Sequence, residues 1–156
     1  MMTNPRDAET LATIRALLLG ALAIGVLGTI GELILLRHID AAAQWIPVVL
    51  LVGTLPILGW HARGASRSSV RVVQIMMAIF MAVGVLGVAL HYDGNVDFER
   101  ELHPDEHGLT FLRKTVAGAT PVLAPGSMVL LGLVGLAHAY RHPASARRSG
   151  AQEMYQ

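Results

Sequence analysis

Cysteine is absent from the 156 residues. That absence removes disulfide bonds, thiol redox exchange, thiolate zinc sites, c-type haem attachment and a lipidated cysteine anchor. Charge is also scarce, at 15% of residues against about 25% in a soluble domain. The net charge is +1, which gives no bulk electrostatic reason to bind nucleic acid. The chain has no phosphate-cradling glycine loop, no nucleophile elbow and no H-E-x-x-H pair. A non-catalytic role is therefore expected.

What the chain has in quantity is apolar residues, 53% of the total, with a mean hydropathy of +0.52. They fall in four runs, giving expected helices at about 12–37, 44–61, 70–91 and 121–140. Each run approaches the ~20 residues that cross ~30 Å of hydrocarbon. Trp45, Trp60, Tyr92 and Tyr140 stand at run ends, where interfacial aromatics belong. The first run is too long for the 7–15-residue core of a signal peptide and reads as a retained span. The expected architecture is an all-α integral membrane domain over residues 1–156. Four transmembrane helices form an up-down bundle, with an outer loop at 92–120 and a loose tail at 143–156.

Lysine and arginine set the expected orientation. Eight of the twelve lie beside the termini or between the second and third runs: Arg6, Arg15, Arg63, Arg67, Arg71, Arg141, Arg147 and Arg148. Both termini are thus expected in the cytoplasm, and loop 92–120 in the periplasm or outside the cell, with a bacterial inner membrane assumed. Gly25, Gly28 and Gly31 in the first run, Gly84 and Gly87 in the third, and Gly132 and Gly135 in the fourth offer close helix contact. Such contact matters in lipid, where the hydrophobic drive between helices is small.

The outer loop concentrates the polar chemistry. Asp93, Asp97, Glu99, Glu101, Asp105 and Glu106 are six of the eleven carboxylates, and His103 and His107 join His91 there. Asp93-Gly94-Asn95 reads as a turn leaving the third helix. Residues 108–118 read as a short amphipathic helix on the outer membrane surface, with Leu109, Leu112 and Val116 at helical spacing. His103 and His107 are four apart and with His91 and Asp93 form a candidate copper or zinc site. Asp97, Glu99, Glu101, Asp105 and Glu106 form a candidate interaction surface. An EF-hand alternation at Asp93, Asn95, Asp97 and Glu99 fails at Phe98 and Pro104.

A second candidate cofactor is b-type haem. His38 and His91 would share one level near the outer ends of the first and third helices. His61 and His138 would share another near the inner ends of the second and fourth. Glu32, the one carboxylate well inside an apolar run, is a candidate for ion-coupled transport; snorkelling or pairing with Arg37 is its ordinary alternative. Met76, Met77 and Met81 read as packing residues.

The leading expectation is a non-catalytic accessory or assembly subunit. It would dock on other membrane subunits through its helices and acidic loop. Metal or haem binding and Glu32-centred transport stand as the alternatives.

Overall fold

The computed structural model describes residues 4–36, 44–118 and 124–146, and these are helical almost throughout. Six helices follow in order: α1 (Pro5–Leu35), α2 (Trp45–Arg63), α3 (Arg67–Leu102), α4 (Gly108–Val116), α5 (Gly126–Ala139) and the single turn α6 (Pro143–Ala146).

Local chemistry sets several of the boundaries. The Asn4 side chain caps α1 by accepting from the Arg6 N–H, and Pro5 occupies the first turn, where its missing N–H costs nothing. Ser66 and Ser69 close α3 with a reciprocal capping box, satisfying two donors that the helix itself leaves open. α2 continues through Pro56.

α1, α2 and α3 are each long and apolar enough to cross a membrane. Their most apolar stretches reach mean hydropathies of 2.1, 1.6 and 2.4. Leu17, Ile24, Leu35, Val49, Val85 and Leu86 stand exposed along them, a surface that suits lipid. α5 has 14 residues, shorter than the expected 121–140. It begins only after Pro125, and 119–123 lie outside the described residues.

The third helix runs eleven residues past its expected end. Asp93-Gly94-Asn95 is helical rather than a turn. The following stretch 97–102 is rich in strong helix formers such as Glu, Arg and Leu, and tertiary packing adds to it. α4 folds back along the extension, where Asn95 Nδ2 donates to the Thr115 carbonyl at 2.9 Å; Lys114 Nζ of α4 donates at 2.6 Å to Glu106 Oε1 in the connection between the two helices. The helix expected at 108–118 is present as α4, and it packs on α3. The eleven added residues lengthen α3 by about 17 Å.

α1 packs on α2 and α5, and α3 likewise packs on α2 and α5, with α3 against α5 the most extensive pairing. Leu22, Val26, Leu51, Val73, Met77 and Phe80 are fully buried between them. Glycine makes the α3–α5 approach close. A Cβ on Gly132 would stand 2.8 Å from the Met77 carbonyl oxygen, and one on Gly84 would stand 2.9 Å from the Val129 nitrogen. Gly25 packs on Leu131, whereas Gly28 and Gly31 face open space.

Candidate metal centre

α2 and α5 do not pack against each other, yet they meet through two side chains at one end of the packed helices. His61 lies in the last turn of α2 and His138 in the last turn of α5; both are 2% exposed. They reach across the interior until their Nε2 atoms are 2.9 Å apart, with the rings edge to face at 86°.

Each ring is held on its far side. His138 Nδ1 donates to the backbone carbonyl of Arg15 in α1 at 2.9 Å. His61 Nδ1 lies 2.9 Å from the hydroxyl of Ser69, in the first turn of α3. Four helices thereby fix two imidazoles.

A third imidazole joins them. Tyr140 closes α5, and Arg141 takes φ +45°, a left-handed turn that is uncommon for a residue with a Cβ. The turn folds His142 back, so that its ring centre lies 5.3 Å from that of His61 and 5.7 Å from that of His138. One ligand nitrogen from each of His61, His138 and His142 lies within 4.8 Å of the other two. Among the described residues this is the one His/Asp/Glu group of three or more that gathers so.

A tetrahedral zinc ion with nitrogens at 2.0–2.1 Å sets those nitrogens about 3.3 Å apart. An ion would spread the His61–His138 pair by only about 0.4 Å. A porphyrin, with its two axial nitrogens on opposite faces, would require the His61–His138 pair to part further than an ion would.

His142 is the ligand that must move most. Its Nδ1 accepts from the Ala144 N–H at 3.2 Å, which leaves Nε2 carrying the proton while that bond lasts. Burial is the main cause holding the His142 imidazole below its ordinary value of 6.5, and the neighbouring His61, His138 and Arg15 add to it. The neutral, ligating form is thereby favoured. His142 also lines a half-open groove of about 450 Å³ between Asp7, Leu11 and Arg15 of α1 and the turn Arg141–Pro143. The groove reaches the cluster on its His142 side only; His61 and His138 do not line it.

The other sequence candidates lie apart. His91 is half-buried on α3, and Asp93 is exposed two residues on. His103 ends α3, where its Nδ1 donates to Glu99 Oε2 at 3.1 Å. His107 is the N-cap of α4. His103 and His107 therefore belong to different helices, and the four-residue spacing does not align them. Asp97, Glu101 and Asp105 are exposed, while Glu99 is buried and Glu106 is paired with Lys114. Glu32 is exposed on α1 and does not face the packed interior. His38 and Arg37 lie outside the described residues.

The sequence pointed to His61 and His138 as one level of the fold but missed His142. The available signal was its four-residue spacing from His138, the same spacing noticed at His103 and His107.

What the fold and centre define is an all-helical protein suited to a bilayer, carrying three convergent imidazoles at one end. No family model, curated protein or solved structure matches the chain.

Proposed function

We propose that this is a four-span membrane protein that binds one transition-metal ion, zinc or copper in class, through His61, His138 and His142. In this reading α1, α2, α3 and α5 cross the bilayer in an up-down bundle, and α5 completes its crossing with the residues just before it. The arginine-rich end carrying the triad faces the cytoplasm.

The observation that carries the reading is the convergence of three imidazoles from two helices and a folded-back turn. A buried histidine pair is by itself an ordinary hydrogen-bonded core contact. Two further features favour an ion. A third ring is brought in by a left-handed turn, and the Nδ1 atoms of His61 and His138 are engaged by a hydroxyl and a carbonyl while both Nε2 atoms face inward. Outer-shell partners of this kind orient metal-ligating histidines. Neutral nitrogen donors suit zinc and copper better than calcium or magnesium. Three protein ligands leave a coordination position for water or an exchanging ligand.

Metal analysis of protein purified without chelator or polyhistidine tag tests this. One zinc or copper per chain is expected, and a Co²⁺-loaded sample should show a visible ligand-field band. Protein that neither carries nor takes up such an ion rules the reading out.

A second reading, docking on a larger membrane complex, is favoured by the α3–α4 hairpin. It sets exposed Asp97, Glu101 and Asp105 beside exposed Phe98, Leu102 and Leu109. Native mass measurement after gentle extraction tests it, and a stable monomer without companions counts against it.

A further inference from the structure

We infer that Ser69 is a positioning residue that lets His61 exchange between a metal-free hydrogen-bonded state and a metal-ligating one. The inference rests on the metal-binding reading above and concerns how the same centre loads.

The hydrogen bonds around the pair permit one arrangement of protons when all rings are neutral. The Arg15 carbonyl can only accept, so the His138 proton sits on Nδ1. His138 Nε2 is then a bare acceptor. At 2.9 Å from it, His61 Nε2 must donate, because two bare nitrogens at that distance would repel. His61 Nδ1 is left as an acceptor and takes the hydroxyl proton of Ser69. One backbone carbonyl thus dictates the direction of three successive hydrogen bonds.

An ion needs the opposite tautomer of His61. Its Nε2 must offer a lone pair, and its proton must sit on Nδ1. In most surroundings that exchange would set a ring N–H against a hydroxyl proton. Here it does not, because Ser69 Oγ also lies 3.0 Å from the Ser66 carbonyl. When His61 Nδ1 gains its proton and donates to Oγ, the hydroxyl proton turns to that carbonyl. Nε2 loses one proton and Nδ1 gains one, the serine keeps its own, and nothing is left unpaired. Oγ accepts from the Ser66 N–H in both states, so it stays in place while only its proton swings. Ser69 is fully buried, so its hydroxyl is not in contact with bulk solvent.

Ser69 also has a structural role in the capping box of α3, and the test separates the two. Ser66→Ala removes the hydroxyl that accepts from the Ser69 N–H, breaking the same box, but it keeps the carbonyl that the exchange uses. Zn²⁺ affinity is measured for the full chain in lipid nanodiscs by competition against Co²⁺ absorbance. Ser69→Ala should weaken Zn²⁺ binding by about 10–100-fold, the usual effect of losing an outer-shell partner, while Ser66→Ala binds like the unsubstituted protein. Equal losses in the two variants, or none in Ser69→Ala, would overturn the inference.

A second measurement needs no variant. Nitrogen-15 spectra of histidine in the unsubstituted protein should place the His61 proton on Nε2 without metal and on Nδ1 with Zn²⁺. A proton already on Nδ1 without metal overturns the exchange. Failure of the unsubstituted protein to bind Zn²⁺ at all overturns the parent reading as well, an outcome distinct from binding that ignores Ser69.

Discussion

Each end of the packed helices carries three described histidines, and only one set converges. At one end His61, His138 and His142 come from separate helical positions and meet within 4.8 Å. At the other, His91, His103 and His107 are closer in sequence and do not gather into such a group: His91 lies along α3, His103 caps its end beside Glu99, and His107 caps the start of α4. A centre is made by where helices stop. The triad forms because the last turns of α2 and α5 lie beside the first turn of α3, with a left-handed residue turning the chain back. The histidines of the opposite end sit along and after one long helix, which spreads them out.

The largest expected effect follows from this contrast. His61→Ala or His138→Ala should weaken Zn²⁺ binding by more than about 100-fold, beyond the range of outer-shell losses. The combined substitution of His91, His103 and His107 by Ala should leave it unchanged. Isothermal titration of the variants compares the two ends directly.

Next in size is a packing change between the ends. Gly132→Leu would drive a side chain into the Met77 carbonyl, and overpacking of this kind costs about 1–3 kcal/mol. The melting temperature in detergent should fall. Gly28 is exposed and a Cβ there meets nothing within 4 Å, so Gly28→Leu should leave it near its starting value.

A smaller effect separates the members of the triad. His142→Ala should cost roughly tenfold in Zn²⁺ affinity, about 1.4 kcal/mol, because His61 and His138 remain anchored. His142 also gives a pH signature. Its value in the fold lies below 6.5, so from 6.5 downward the unfolded chain binds more protons than the folded one at this position. Its favourable neutral state is fully present above 6.5 and is lost as pH falls towards the lower folded value. Melting temperature should therefore drop on acidification through that window, and His142→Gln should flatten the drop.

The smallest effect belongs to the opposite end. Asn95→Ala removes the buried bond to the Thr115 carbonyl, worth about 1 kcal/mol. Hydrogen exchange in α4 should rise while Zn²⁺ affinity holds.

Much of the helical layout was legible from hydropathy alone, since runs of apolar residues have few other uses at this length. α2 lies within two residues of its expected ends and α4 within two of its own. The extension of α3 was hidden because Asp93-Gly94-Asn95 carries turn chemistry locally, while Asn95 is committed to a partner twenty residues away. Tertiary pairing overrode the local signal there. The His61–His138 pair could be placed by level, because both stand near helix ends on one side. His142 could not: its place depends on a left-handed backbone at Arg141, and neither composition nor periodicity encodes a positive φ at an arginine. Pro104 and the helix break beside it undid the apparent match of His103 with His107.

The most direct measurement is the metal content of the full chain, purified without tag or chelator, beside its His61→Ala variant and the triple variant of His91, His103 and His107. One zinc or copper per chain, lost in His61→Ala and kept in the triple variant, is the predicted result. A metal-free unsubstituted chain that takes up none on addition, or loss of the ion in the triple variant alone, would contradict it.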